Sequence, residues 1–350
     1  MQKRILYIDA LKAVLMFLVV WGHTIQYTNT NEGLNNPIAA FIYSFHMPMF
    51  MMLSGMFFKR QLQLQFSTLL RKNFLRLILP ALVITFLLFL IIFVNKPRGI
   101  YESINWLWAC RPWFITTLFF CNVTTSFLYR VVRHVGYSFL ITFIFFCLLP
   151  SISDRLIFMY PFFVLGYYIN YSLDNQQVRW LSGGGITAIT LFIICMYFFH
   201  MNISETFIYV TPYCFWSIED GVHLDNSLII ALKRYFIGFC GSIGVFYILK
   251  NLFLGIGKKF YKFKIVQYIG KNTLGLYLLQ IGLFTIYMGI RNETLSNLTY
   301  GRDWLAFLLS FFVMAILLLC IIIIRKSKTA KLLFLGEYQN NHIKMIHDKK

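Results

Sequence analysis

Three ionisable side chains lie within the first apolar segment of the chain: Asp9, Lys12 and His23. Lys12 and His23 are eleven residues apart, and at about 100° per residue this spacing is close to three whole turns of an α-helix. The two side chains therefore share one face of the predicted helix, about 16 Å apart along its axis. Histidine accepts and returns protons near neutral pH, since its unperturbed pKa is about 6.5. The spacing indicates a polar stripe that leads to a candidate general base.

Asp9 lies about one helical turn before Lys12, close enough to offset the lysine charge. Each residue also has a structural interpretation, because a lysine extends its amine to the headgroups and a histidine caps a helix at the interface. An ionisable group within a membrane span is costly, however, and typically marks a functional site. The alignment of Lys12 with His23 favours the functional interpretation.

The second apolar segment contains His46, which lies two residues before Pro48. Proline inside a helix is expected to kink it. Two interpretations of His46 stay open: a site residue, or a buried histidine bonded to a neighbouring helix. At the end of the same segment, Ser54 and Gly55 allow a close approach of another helix.

A basic segment follows, and it includes Lys72 and Arg76. Clusters of this kind bind anionic lipid headgroups. Arg76 lies about one turn into the next apolar segment, where a phosphate-bearing ligand explains it better, because a guanidinium offers a charged bidentate fork. Further along the chain, Arg111 and Trp113 open the fourth apolar segment, where tryptophan is commonly an interfacial anchor.

The chain that positions these residues has 350 residues, of which 59% are hydrophobic and only 13% charged. Soluble domains are about 45–50% apolar and about 25% charged, so an ordinary soluble enzyme is excluded, and so is a disordered chain. In a soluble protein a net charge of +19 would suggest nucleic acid. With this hydropathy the charge indicates membrane orientation instead, and no nucleic-acid partner is expected.

About ten apolar segments are long enough to span a bilayer. With a cytoplasmic N-terminus, roughly two thirds of the Lys and Arg residues fall on the cytoplasmic side, as the positive-inside rule expects. We therefore predict an all-α polytopic membrane protein with about ten transmembrane helices and both termini cytoplasmic. The predicted spans are 6–27, 39–57, 74–95, 112–132, 137–151, 155–171, 183–200, 228–249, 266–290 and 303–324.

The predicted organisation is one membrane domain over residues 1–325, followed by a short basic cytoplasmic tail over residues 326–350. The seven cysteines lack metal or redox spacing, so they are expected to pack in the core and no metal site is predicted. Membrane lipids are the expected surroundings.

Several motifs, in their order along the chain, resemble the acyltransferase-3 family of membrane proteins, which O-acylate sugars of bacterial surface polysaccharides. The family's Asp-x-Leu-Arg-type motif matches residues 8–12, with its basic residue eleven positions before His23. Residues 45–55 resemble the second-helix signature, especially in the fucose 4-O-acetylase-like branch. Further fragments in the family's order are Arg76-x3-Pro80, Pro112-Trp113-Phe114, 161–166 and 269–278.

Three positions depart from the family pattern. Lys12 stands where arginine is usual, which keeps the charge but loses the bidentate fork. Asn73 replaces the first arginine of an Arg-x-x-Arg pattern that ends at Arg76, with Lys72 beside it as compensation. Gln280 stands where a histidine is frequent.

The resemblance implies an O-acyltransferase of the bacterial cytoplasmic (inner) membrane, which transfers an acetyl or other short acyl group to a sugar hydroxyl of a surface polysaccharide or its lipid-linked precursor. It implies that His23 acts as general base and that Asp9 orients or neutralises Lys12. His46 is implied to bond the thioester oxygen or to relay a proton. Direct transfer and a covalent acyl-histidine both stay open.

The implied co-substrate is acetyl-CoA, and no bound cofactor is expected. Lys72 and Arg76, with Lys12, are implied to hold the donor from the cytoplasmic side. Arg111 and Trp113 are expected on the side of the saccharide acceptor, because aromatic rings suit sugar faces.

Two other classes remain as alternatives. A transporter or flippase of lipid-linked sugars also suits a buried charged path, but the sequence lacks the two-half symmetry common in secondary transporters. A membrane scaffold predicts scattered charges rather than the aligned pair that the first segment carries.

Overall fold

The computed structural model describes residues 5–30, 35–95, 112–149, 154–174, 178–199, 216–217, 221–222, 226–254, 259–290 and 292–337. Within these residues, seven helices are long and apolar enough to cross a membrane, and three shorter apolar helices accompany them. Each of the ten predicted segments contains at least one helix. The prediction of an all-α polytopic membrane protein is confirmed.

The helices divide by chain order into a first group, up to residue 132, and a second group that follows it. The first group is α1 (Leu6–Thr28), α2 (Pro37–Gly55), α3 (Phe58–Leu62), α4 (Phe66–Asn73), a π-helical turn (Phe74–Ile78), α5 (Leu79–Asn95) and α6 (Trp113–Val132).

The second group follows in chain order and includes one pair of two-residue strands. It comprises α7 (Val135–Leu148), α8 (Asp154–Asp174), α9 (Val178–Phe199), β1 (Trp216–Ser217), β2 (Gly221–Val222), α10 (Asn226–Leu254), a 3₁₀ turn (Phe260–Lys262), α11 (Lys264–Lys271), α12 (Thr273–Ile290), α13 (Glu293–Ser296), α14 (Asp303–Ile324) and α15 (Lys328–Leu335).

The first helix lies in the middle of the bundle. It packs against α2, α11, α12 and α14, and Asp9 is only 5% exposed. The far end of α1 is tied to the turn after α13, where the Thr28 and Thr299 hydroxyls are 2.9 Å apart and the Thr299 amide donates to the Thr28 carbonyl at 3.0 Å. The helix with the polar stripe is therefore held at both ends.

The close helix approach predicted at Ser54 and Gly55 is confirmed where α2 meets α8. A Cβ on Gly55 would lie 2.0 Å from the carbonyl oxygen of Phe163, and a Cβ on Gly166 would lie 1.8 Å from that of Met52. Real atoms do not approach so closely, so only glycine fits at these two positions. The two backbones are in direct contact, which fixes α2 relative to α8.

The predicted boundaries of the third and ninth spans are wrong. The third helix begins at Phe66 rather than at residue 74, because the amphipathic α4 continues through the π-helical turn into α5. The predicted span 266–290 is broken at Asn272, whose backbone (φ −107°, ψ 11°) is not helical. The side chain of Asn272 stabilises the break: its Nδ2 donates to the Tyr268 carbonyl at 2.7 Å, and its Oδ1 accepts from the Arg325 guanidinium at 2.5 Å.

Candidate active site

A cavity of about 600 Å³ opens at the end of the bundle where α1 begins. This volume lies within the usual range of small-molecule sites. Residues of α1, α2, α3, α4, the π-helical turn, α6 and α12 line it. The polar and charged lining residues are Asp9, Lys12, Ser54, Arg60, Gln61, Lys72, Asn73, Arg76, Asn122 and Thr273.

The charged side chains of the cavity are mostly cationic. Lys12, Arg60, Lys72 and Arg76 line it, and Asp9 is the carboxylate among the lining residues that the structure describes. They come from three separate segments of the chain. An excess of positive charge at a partly enclosed site favours an anionic ligand, and charge-assisted bonds to phosphate are among the strongest that arginine and lysine make.

Two of these cations lie around one aromatic ring. The Lys12 ammonium is 4.7 Å from the centroid of the Phe57 ring, and the Arg60 guanidinium carbon is 5.7 Å from the same centroid. Cation–π contacts of this kind hold a charged group without neutralising it. The arrangement orders Lys12 and Arg60 at the edge of the cavity.

Arg76 lies on the π-helical turn, and such turns are frequent at functional sites. The C-terminal segment packs against this turn. Gly336 has a left-handed backbone (φ 60°), and a Cβ there would lie 2.5 Å from the Arg76 carbonyl oxygen. Next to it, Glu337 pairs with Arg325 and, at 3.3 Å, with Lys331. The start of the predicted tail thus supports the segment that carries Arg76, while the domain boundary at residue 325 stays a prediction.

The hydrogen bonds of Asn73 give this residue a structural role at a position where the family pattern has arginine. Its side-chain nitrogen donates to Gln61 Oε1 and to the Leu69 carbonyl, both at 3.0 Å. Both amide hydrogens are therefore used, one to join α3 to α4 and the other within α4. Lys72, beside it, keeps an exposed side chain on the cavity and supplies the cation at this part of the rim.

The inner end of the cavity is apolar and buried. Met16, Met47, Phe114 and Tyr277 line it and are at most 8% exposed. The Phe114 ring centroid lies 6.2 Å from that of Phe50 and 5.8 Å from that of Tyr277. The cavity therefore changes from charged and exposed at its mouth to apolar and enclosed at its inner end.

One polar side chain interrupts the apolar wall formed by α6. Asn122 lines the cavity two helical turns after Phe114, is 2% exposed, and its Oδ1 has no hydrogen-bond partner among the described residues. Buried polar atoms are normally bonded. A ligand with an N–H donor at this depth would satisfy the Asn122 oxygen.

The two histidines lie beyond the cavity and flank one tyrosine. The His23 ring centroid is 5.9 Å from that of Tyr43, which is 5.1 Å from that of His46. Tyr27 and Phe284 also lie 5.9 Å from His23, centroid to centroid. We refer to these five residues as the histidine–aromatic cluster.

His46 is 2% exposed, and its Nδ1 lies 2.8 Å from the Ile42 carbonyl oxygen. Since a carbonyl only accepts, Nδ1 must carry a proton. The neutral ring then has its lone pair on Nε2. The predicted bond to a neighbouring helix is thus replaced by a bond within α2, and the site role stays a prediction.

The structure brings the sequence-predicted residues together in two groups. Asp9, Lys12, Lys72 and Arg76 line the cavity, and His23 and His46 belong to the histidine–aromatic cluster. The groups adjoin, because Met47, next to His46 in the sequence, lines the inner end of the cavity.

Of the two residues predicted to contact the acceptor, Trp113 lies apart from both groups and Arg111 is not among the residues that the structure describes. Trp113 begins α6 and packs with the core, and the Arg155 guanidinium lies 5.0 Å from its ring. Its neighbour Phe114 lines the cavity, whereas Trp113 does not. Arg111 lies outside the described residues.

Sequence reasoning missed Arg60, Tyr43 and Asn122. An asparagine inside the apolar segment 112–132 is a signal that a search for buried polar residues would have found. Arg60 and Tyr43 carry no such signal, because a basic loop residue and an aromatic residue in a span are both common in membrane proteins. The described residues contain no cluster of His, Cys, Asp or Glu that suits a metal ion.

Comparison with known proteins identifies relatives over almost the whole chain. Residues 5–326 match the family model described as an acyltransferase domain. Nodulation protein NolL of Mesorhizobium japonicum is 26% identical over 328 residues, which cover 85% of this chain and 81% of the relative. Nodulation protein NolL of Sinorhizobium fredii is 29% identical over 194 residues, 48% of this chain and 49% of the relative. No solved structure matches the chain.

Proposed function

The chain is a member of the acyltransferase-3 family, and we propose that it transfers a short acyl group, acetyl first of all, from acyl-CoA to a sugar hydroxyl. The acceptor in this proposal is a surface polysaccharide or its lipid-linked precursor, and the location is the bacterial cytoplasmic membrane, in keeping with the two bacterial relatives. One observation supports the donor above all: Lys12, from the first helix, lines a single cavity with Lys72 and Arg76, and this cavity ends at Met47, next to His46 in the sequence.

The chemical groups of acyl-CoA follow the same order, from charged to apolar, as the cavity does from its mouth to its inner end. The phosphates of CoA would lie at the mouth, where Arg60, Lys72 and Arg76 are exposed. The pantetheine arm carries two amides, and one amide N–H would donate to Asn122 Oδ1. The thioester would then lie at the apolar end between Met47 and Phe114. Lys12 lies between the mouth and this end, where it offsets the remaining negative charge.

The transfer needs a base for the acceptor hydroxyl. His23 would take the hydroxyl proton as the sugar oxygen bonds to the thioester carbonyl carbon. The carbon–sulfur bond then breaks, and the CoA thiolate leaves with the proton returned from the imidazolium. His23 is half-buried rather than enclosed, which leaves part of its ring open to an acceptor.

His46 and Tyr43 would connect this chemistry with the donor. The unprotonated Nε2 of His46 accepts a hydrogen bond, and Tyr43 lies between the two imidazole rings. The Tyr43 hydroxyl donates to Gln26 Oε1 at 2.8 Å, which fixes its orientation. We assign His46 a proton-relay role. Trp113 and Arg111 stay the proposed contacts of the saccharide.

The proposal is tested with membranes that contain the protein, acetyl-CoA labelled in the acetyl group, and glycans extracted from a bacterial envelope. Wild type is compared with His23→Ala and with His134→Ala, which removes an exposed histidine at the start of α7. We expect alkali-labile label on glycan with wild type and His134→Ala, and its loss with His23→Ala.

Equal labelling by all three proteins would contradict the role of His23. Absence of label with every glycan, together with absence of acetyl-CoA binding to purified protein, would overturn acyl transfer. Movement of a lipid-linked sugar across vesicles, without acylation, would then establish the transporter alternative.

A further inference from the structure

Gln280 is a fully buried polar side chain beside the histidine–aromatic cluster. It is 0% exposed, and neither its amide oxygen nor its amide nitrogen has a hydrogen-bond partner among the described residues. It lies on α12 one turn before Phe284, whose ring packs against His23. Residues four apart share a helix face, so Gln280 belongs to the face of α12 that meets α1.

His23, which faces Gln280, also has a buried polar atom without a hydrogen-bond partner among the residues that the structure describes. Its Nδ1 is buried and also has no partner within the described part of the chain. Three unpaired polar atoms on two facing side chains are unusual, because native structures pair almost all buried polar groups. An amide oxygen and a protonated Nδ1 complement each other. The Gln280 side chain lies close enough to His23 to act on its imidazole, and a closer approach of the two groups would complete the hydrogen bond.

Gln280 is therefore, we propose, a positioning residue for His23. Its Oε1 accepts the Nδ1–H of His23 in the reacting complex, which leaves the lone pair on Nε2 and directs it to the acceptor hydroxyl. Hydrogen bonds between catalytic groups are often long without ligands and tighten when substrates bind. This inference rests on the proposed acyl transfer and adds the group that selects the tautomer of its base.

A neutral partner suits this task. A carboxylate in the same place would stabilise the imidazolium and so weaken the return of the proton. The titratable groups around His23 are Tyr27 and Tyr43, which contact its ring, and His46 beyond Tyr43. None of the described carboxylates forms an ion pair with His23. The amide of Gln280 is thus the group that decides which ring nitrogen carries the proton.

The test uses chemical modification rather than acyl transfer, so its failure is distinct from failure of the proposed function. Diethylpyrocarbonate modifies an unprotonated imidazole nitrogen, and mass spectrometry of peptides measures its extent at each histidine against pH. The exposed His134 serves as an internal reference in the same sample. The purified full-length proteins are wild type, Gln280→Glu, Gln280→Leu and Ser310→Ala. The last is a control that removes a buried hydroxyl bonded within α14.

We expect the midpoint for His23 modification to rise by about one pH unit or more in Gln280→Glu, because the new carboxylate stabilises the imidazolium. Gln280→Leu should lower the donor-saturated rate of transfer about 10-fold and leave the KM for acetyl-CoA unchanged. Neither change should occur in Ser310→Ala, and His134 should be unaffected throughout.

An unchanged His23 midpoint in Gln280→Glu would overturn the assignment. So would failure of His23 to react in wild type while His134 reacts, because the inference requires an accessible, unprotonated Nε2. If Gln280→Leu fails to accumulate as folded protein, the near-isosteric Gln280→Glu still decides the question.

Discussion

The cation-lined cavity and the histidine–aromatic cluster are built in opposite ways, although they adjoin at Met47. The cavity has exposed cations at its mouth, and short helices and a π-helical turn line it together with the long helices α1, α2 and α6 and the start of α12. The cluster lies between long, regular helices and contains aromatic rings and unpaired polar atoms. In the proposed function, the first region binds the charged donor from solution and the second carries out a proton transfer away from bulk water.

This difference indicates a division of labour between binding and chemistry. A charged donor needs accessible cations that desolvate it gradually, whereas a general base needs a fixed ring with a defined tautomer. Variants in the cavity should therefore change the KM for the donor, and variants in the cluster should change kcat. Four predictions examine this division, beginning with the largest effect.

His23→Ala should lower kcat by about 100- to 10,000-fold, the usual contribution of a general base. The KM for acetyl-CoA should stay within about twofold, because His23 does not line the cavity. Steady-state kinetics with labelled acetyl-CoA checks both values. A large rise in KM with an unchanged kcat would contradict the assignment of His23 to the chemical step.

Arg76→Ala should raise the KM for acetyl-CoA about 10- to 100-fold, since a bond to a charged group contributes about 1.5–3 kcal/mol. The KM of Arg76→Lys should lie between those of wild type and Arg76→Ala, because lysine keeps the charge but loses the bidentate fork. With S-acetylpantetheine, which has no phosphate, wild type and Arg76→Ala should have the same KM. A persisting difference with that truncated donor would show that Arg76 does not bind phosphate.

Gly270→Ala tests whether the start of α1 needs its close contact with α11. A Cβ at Gly270 would lie 2.0 Å from the Asp9 carbonyl oxygen, so the two helices must separate, at a cost of about 1–3 kcal/mol. We expect a lower unfolding temperature in detergent and a several-fold higher KM for the donor. Gly289→Ala is the matched control, because a Cβ there meets nothing within 4 Å. Equal behaviour of the two variants would contradict the packing described.

Asn122→Leu should have the smallest effect, a rise of about 2- to 10-fold in the KM for the donor, since one neutral hydrogen bond contributes about 0.5–1.5 kcal/mol. The rise should be the same with acetyl-CoA and with S-acetylpantetheine, because both contain the amide that Asn122 is proposed to bind. Parallel kinetics with the two donors checks this. A rise confined to acetyl-CoA would place Asn122 near the phosphates instead.

The sequence was sufficient to predict the features that depend on hydropathy and helical period. The apolar helices, the close approach at Gly55 and the common face of Lys12 and His23 all follow from local pattern. His23 contacts Tyr43 of α2, and Lys12 contacts Phe57 in the turn that follows α2. These features persist because membrane helices must satisfy their own backbone hydrogen bonds.

Long-range packing explains what the sequence did not predict. The break at Asn272 depends on Arg325, which is 53 positions away in the chain. The meeting of Arg60 with Lys12 depends on the turn between α2 and α3, and the burial of Gln280 depends on how α12 meets α1. No local period carries such information, so single residues of the site had to be found in three dimensions.

The most direct test of the account measures binding and chemistry in the same purified samples of wild type, His23→Ala and Arg76→Ala. Equilibrium binding of labelled acetyl-CoA gives the donor Kd, and transfer to envelope glycan at saturating donor gives the maximal rate. The account predicts that His23→Ala binds the donor like wild type and transfers almost nothing, while Arg76→Ala binds weakly and recovers its rate at high donor concentration. Loss of donor binding in His23→Ala, or full binding in Arg76→Ala, would contradict it.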